Sequence, residues 1–154
     1  MTRMIVRLPG WGAFLFIVVP MFASTHLPIP IGTPIAILPF FLWLFSLHIE
    51  STRAYRRIST KARLILPSAL LYVLVYGYVF NSHLFSFKVL LPFHLIGMVC
   101  IFAPLYYVAS AVRSAELKRN ASVGEWLPTF MGLWFFPFGV WFVQAKIRKI
   151  ASSA

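Results

Sequence analysis

Apolar runs separated by short polar connectors organise this chain. Four runs, at about residues 11–26, 35–49, 64–80 and 89–112, have the composition of membrane-crossing helices. The first two are short of the roughly 20 residues that a bilayer core requires. The second is expected to continue as helix beyond the hydrocarbon, as a cytoplasmic stem on which Arg53, Arg57 and Lys61 recur every four residues and Glu50 pairs with Arg53. A fifth apolar segment, residues 127–144, is interrupted centrally by Pro137 and Gly139. At 1.5 Å per residue it reaches about 25 Å, less than the usual core of about 30 Å.

The connectors alternate in chemistry, and that alternation sets orientation. Glu50–Arg63 carries five of the fourteen Lys and Arg residues, and Arg113–Trp126 carries three basic residues against two acids. Short loops rich in Lys and Arg stay on the cytoplasmic side. Arg3 and Arg7 hold the amino terminus on that side too, so the first run is expected as an uncleaved span. His26–Pro34 has three prolines, one glycine and no Lys or Arg, as expected of a rigid outer turn. Asn81–Lys88 is the second outer turn, with a single lysine.

The last segment breaks this alternation, because both its flanks are basic: Lys118 and Arg119 before it, Lys146, Arg148 and Lys149 after it. Either it re-enters and leaves by the cytoplasmic face, its turn covered by the bundle, or it crosses as a kinked fifth span against the bias of its own flank. The expected fold is therefore all-α: one domain over residues 1–154, a polytopic membrane helical bundle of four transmembrane helices plus a carboxyl-terminal re-entrant or kinked fifth hydrophobic helix.

Composition agrees. The 154 residues are 60% hydrophobic, 18% aromatic and 11% charged, with a mean hydropathy of +0.85, outside the range of ordinary water-soluble domains. The net charge of +11 raises the question of nucleic acid. The basic residues lie at the ends of apolar runs, with no separate fold to present them to a duplex, so no nucleic-acid partner is expected. Cys100 is the only cysteine, which leaves no intrachain disulfide, no Cys-x-x-Cys pair and no cysteine metal site.

Candidate chemistry is sparse. No run contains Asp, Glu, Lys or Arg, and the metalloprotease, nucleophile-elbow and phosphate-loop motifs are absent. Catalytic candidates reduce to His48, Glu50 and His94; no metal and no cofactor are implied. His48 and Glu50 are two residues apart and do not share a helical face. Ser68, Tyr72 and Tyr76 recur every four residues as a stripe that should face protein, and His94 should also face the interior. Together with Gln144 they are the candidates for lining a ligand cavity. Arg53, Arg56, Arg57, Lys61 and Arg63 are the candidates for binding lipid headgroups or other anions. Pro137 and Gly139 are the candidate structural turn.

The run Trp134-Phe-Phe-Pro137-Phe-Gly139-Val-Trp141-Phe-Val-Gln144-Ala-Lys146-Ile-Arg148-Lys149 resembles the carboxyl-terminal signature of small, largely uncharacterised bacterial multi-pass proteins. There the segment reads approximately Trp-Phe-Phe-Pro-Ile-Gly-Ile-Trp-Phe-Ile-Gln-Pro-Arg-Ile-Asn-Lys; Ala145 replaces the second proline here. The resemblance covers about 20 residues, implies a bacterial inner membrane and transfers no activity. In size, span number and basic inner loops the chain is also similar to the membrane-associated glutathione and eicosanoid enzymes. Glu50, Arg53, Tyr55 and Arg57 would be the corresponding kind of anion site, although the family's Glu-Arg-x-x-Arg and Asn pattern is not reproduced.

Three functions follow as expectations. The foremost is a structural or interaction subunit of the membrane, homo-oligomeric or bound to a membrane protein partner, whose basic cytoplasmic face meets membrane lipids or an acidic partner. The others are a channel or transporter for a small or hydrophobic solute, and a membrane-embedded enzyme acting on a lipophilic substrate.

Overall fold

The computed structural model describes residues 2–55, 61–82, 85–136 and 138–152. Arg56, Arg57 and Pro137 lie outside the described residues. Among those described there are no strands and seven helices: α1 (Thr2–Arg7), α2 (Gly10–Ala23, followed by a 3-10 turn Ser24–His26), α3 (Ile29–Ala54), α4 (Ala62–Asn81), α5 (Phe87–Leu117), α6 (Val123–Trp134) and α7 (Gly139–Ser152).

Three of them, α3, α4 and α5, are long and apolar enough to cross a membrane; α2 with its 3-10 turn is a shorter apolar helix. Prolines sit inside α2, α3, α4 and α5 without ending them. Apolar bundle helices accommodate such breaks because neighbouring helices satisfy the freed backbone groups.

Boundaries move outward from the sequence expectation for local reasons. The turn expected over 26–34 is helical from Ile29 onward, because Pro28 takes the extended N-cap position and Pro30 falls in the first turn, where a missing N–H costs nothing. At its other end α3 stops at Ala54, and Tyr55 is extended at φ −142° and ψ 99°. The Glu50–Arg53 pair expected on the stem is present. A single stem helix carrying Arg53, Arg57 and Lys61 is not, since Tyr55 breaks it before the latter two.

The centre of the bundle is α3, which packs against α1, α2, α4, α5 and α7. Trp43, Leu44 and Leu47 of α3 are fully buried with Leu105, Val108 and Val112 from the second half of α5 and Val140, Val143 and Ile147 of α7. The first half of α5 and most of α4 lie outside this core: Leu71, Val75, Phe93, Leu95 and Val99 are exposed. Burial within α5 changes where α6 and α7 pack onto its second half.

The last apolar segment is two helices rather than one. Lys146 meets Thr129, and a Cβ on Gly132 would meet Val143 and Phe142, so positions rise along α7 as they fall along α6. The pair is an antiparallel hairpin, α6 ending at Trp134 and α7 starting at Gly139. Gly139 lies so close to the Gly132 carbonyl that any Cβ there would overlap it. The start of α6 is fixed by a capping box in which Ser122 and Glu125 satisfy each other's backbone N–H groups. α5 ends where Lys118 takes the left-handed conformation, at φ 56°. Its ammonium reaches across to donate to the Ala54 carbonyl, 3.2 Å away, which ties the ends of α3 and α5 together.

Candidate functional site

A cleft of about 1110 Å³ opens at the end of the bundle where α1, α3, α4 and α7 meet. Arg3, Val6 and Arg7 of α1 line one side, Phe45, His48, Ile49, Glu50, Thr52 and Arg53 of α3 form its floor, and Arg63 and Ala151 complete it. Four arginines and one carboxylate therefore line the same cleft. That carboxylate, Glu50, is buried and ion-paired with Arg53.

The position of α1 is the first thing to explain, because six residues in isolation do not hold a helix. Ile5 and Val6 are buried against the core, and the Gln144 side chain supplies the rest. Its Nε2 donates to the carbonyls of Ile5, Val6 and Leu8 at 3.0, 2.8 and 2.9 Å, and its Oε1 accepts the Trp43 indole N–H at 2.9 Å. One buried amide thus caps the open end of α1 and joins it to α3 and α7. Arg3 and Arg7, four residues apart, are left exposed and line the cleft.

His48 lines the cleft at 1% exposure, and among the described residues neither ring nitrogen is hydrogen-bonded. Ser51 is also buried with an unpartnered hydroxyl. Each orphaned buried polar group costs on the order of 1–3 kcal/mol, so two such groups near one cleft ask for a reason. His48 and Glu50 were expected on different faces, yet both line the cleft, because α1 and α4 flank this end of α3 on different sides.

The Tyr and His candidates form a separate cluster on the α4–α5 pair. Tyr72 donates to the Phe93 carbonyl at 2.6 Å, and the Tyr76 hydroxyl and His94 Nδ1 are 2.9 Å apart. Gly97 gives Tyr72 room, a Cβ there meeting the ring at 3.5 Å. Ser68 and His94 are exposed on the outer surface instead of facing the interior. The physical reason is that, among the described residues, α4 packs mainly against α3 and α5, so most of its circumference is outer surface. Gln144, expected with this group, belongs to the α1 clasp on the other side of the bundle.

A third polar group holds the hairpin to α5. Glu116 accepts from Arg113 at 2.6 Å and lies 3.6 Å from the Lys146 ammonium. Lys146 also donates to Thr129 at 3.3 Å and sits 4.3 Å above the Phe142 ring. At the hairpin entrance Arg119 and Glu125 pair. The Arg119 guanidinium, with the Ser122 backbone N–H and hydroxyl, holds the Glu125 carboxyl at about 2, far below its ordinary 4.5.

Of the sequence candidates, His48, Glu50, Arg53 and Arg63 converge on the cleft. Lys61 starts the connector into α4, and Arg56 and Arg57 lie outside the described residues. Arg3 and Arg7 were read only as orientation signals. Their four-residue spacing around the apolar pair Ile5–Val6 was the signal that they share one face of a short packed helix. Among the described residues no group of three or more His, Cys, Asp or Glu side chains is placed to hold a metal ion. Comparison with protein-family models, curated proteins and solved structures finds no match for this chain.

Proposed function

We propose that the chain is a polytopic subunit of a bacterial inner membrane that gathers its basic segments at the cytoplasmic surface and binds anionic lipid there. The observation that carries this reading is the convergence of Arg3, Arg7, Arg53 and Arg63 on one cleft, at the end of the bundle where α7 also finishes. Lys118 and Lys146 lie at the same end, through their bonds to Ala54 and Glu116. A basic cleft between helix ends matches the anionic headgroups of the cytoplasmic leaflet, each Lys or Arg near that surface adding about 1 kcal/mol.

In this reading α3, α4 and α5 cross fully and α2 crosses as a shorter fourth helix. The α6–α7 hairpin enters and leaves by the cytoplasmic face. The 12 residues of α6 span about 18 Å, little more than half of a core of about 30 Å. The Gly132–Gly139 approach buries the turn side of the hairpin against its own partner strand of helix, and Phe14, Phe40 and Trp43 pack on Phe136 beside the turn. The exposed apolar face of α4 and of the first half of α5 meets acyl chains or, in a homo-oligomer, a second copy.

Two measurements on one preparation test this. With Cys100 replaced by Ser, a cysteine at Ser152 should react with an impermeant maleimide only from the cytoplasmic side; reaction from outside overturns the hairpin topology. In nanodiscs, the double variant Arg53→Gln, Arg63→Gln should retain less phosphatidylglycerol than the parent. Equal retention would remove the anionic-surface reading.

A further inference from the structure

His48 is the group in the cleft that packing does not account for. Two buried polar side chains near this end are satisfied, Gln144 by Trp43 and the α1 carbonyls and Glu50 by Arg53, while Ser51, also unpartnered among the described residues, does not line the cleft. The His48 ring is equally buried, lines the cleft and, among the described residues, has no partner on either nitrogen. A neutral imidazole carries one N–H donor, and with no acceptor for it among the described residues that donor can be offered to something that enters the cleft.

The surrounding charges define what could enter. The four lining arginines are carried by three elements, α1, α3 and α4. A carboxylate presents two oxygens in one plane and suits a single guanidinium fork. A phosphate presents its oxygens tetrahedrally and can accept from several forks and an imidazole together. The cleft volume of about 1110 Å³ also has room for more than a bare anion, being at the upper end of what holds a whole small ligand.

We infer that the cleft is a phosphate-group site in which His48 donates a hydrogen bond to a phosphate oxygen and Arg3, Arg7, Arg53 and Arg63 surround it. The phosphate belongs to a lipid headgroup or to a soluble phosphate compound. This rests on the anionic-surface reading above and adds to it a specific atom, the His48 ring N–H, and a specific chemistry, phosphate instead of negative charge alone.

The test uses the full chain in nanodiscs of phosphatidylcholine, with histidine ring nitrogens labelled for NMR and assigned by comparison with His48→Phe. Three additions are compared: phosphatidylglycerol, oleate as an anionic lipid without phosphate, and pyrophosphate in solution. The expected result is a shift of the His48 ring resonances with a phosphate-bearing ligand and none with oleate. A shift with phosphatidylglycerol alone identifies the lipid headgroup as the source; a shift with pyrophosphate identifies a soluble phosphate. Affinity for the active ligand should fall about tenfold in His48→Phe, as loss of one hydrogen bond to a charged group implies, and recover in His48→Asn, which keeps an N–H donor.

No shift with either phosphate ligand, an equal shift with oleate, or unchanged affinity in His48→Phe would overturn the inference. If lipid retention still falls in the Arg53→Gln, Arg63→Gln variant while His48 is silent, the anionic surface stands and the phosphate site fails. If neither responds, both fail. The resonance measurement is made on the unmodified chain and is assigned from whichever of His48→Phe and His48→Asn folds, or by replacing the other three histidines, so a single variant that does not fold leaves the inference open to refutation.

Discussion

Replacing Gln144 by Leu tests the clasp that positions half of the cleft. Leucine fills much the same volume, so the change removes hydrogen bonds with little cavity. The Trp43 indole N–H and the Val6 carbonyl belong to residues with no exposure, and both lose a partner 2.9 Å or less away. The Ile5 carbonyl still accepts from the Leu8 N–H at 3.3 Å, so it is not orphaned. Two orphaned buried groups at about 1–3 kcal/mol each give about 2–6 kcal/mol. Interhelical hydrogen bonds in membranes fall near the bottom of such ranges, which places the expected loss at about 3 kcal/mol. Because α1 is too short to persist alone, the loss should appear locally: hydrogen exchange over residues 2–8 accelerates while α3 and α5 keep their protection. Global stability is read by reversible denaturation in bicelles, and lipid retention should weaken because Arg3 and Arg7 are no longer held in the cleft. A loss below about 1 kcal/mol with unchanged exchange in α1 would refute the reasoning.

Three further outcomes follow from particular contacts. Gly139→Ala should destabilise the hairpin by about 3 kcal/mol or more, since its Cβ overlaps the Gly132 carbonyl, a backbone atom that cannot step aside. Gly132→Ala should cost clearly less, its Cβ meeting side-chain atoms at 3.3 and 3.4 Å and the Gly139 Cα at an ordinary 3.8 Å; the reverse order in thermal unfolding would contradict the hairpin geometry. Glu125 has a folded value of about 2, below its ordinary 4.5, so its contribution is fully present above about pH 4.5 and is lost as pH falls through 2. Protection at the start of α6, measured against the intrinsic exchange rate at each pH, should therefore fall over that acid window in the parent, and Glu125→Gln should show lowered protection at neutral pH with little further change on acidification. Tyr76→Phe removes one hydrogen bond on the outer surface of α4 and should cost under about 1 kcal/mol; a loss of several kcal/mol would mean that the α4–α5 face is covered by a partner.

The sequence by itself determined the helical, apolar character of the chain and which connectors are basic. These are local or one-dimensional properties: hydropathy sets what can be buried or face lipid, and charge marks the connectors. The Ser122–Glu125 capping box and the Glu50–Arg53 pair were likewise within reach, because each joins residues three apart. Tertiary structure alone decided the rest. The segment at 127–144 could continue or fold back until Gly132 and Gly139 were seen to touch. Gln144 looked like a cavity residue because nothing near it in sequence names its partners, Trp43 and the carbonyls of Ile5, Val6 and Leu8, which lie about a hundred residues or more away. That long-range bond is what turns Arg3 and Arg7 from orientation signals into one wall of a cleft. His48 became a candidate of a particular kind only when packing buried it there without a partner.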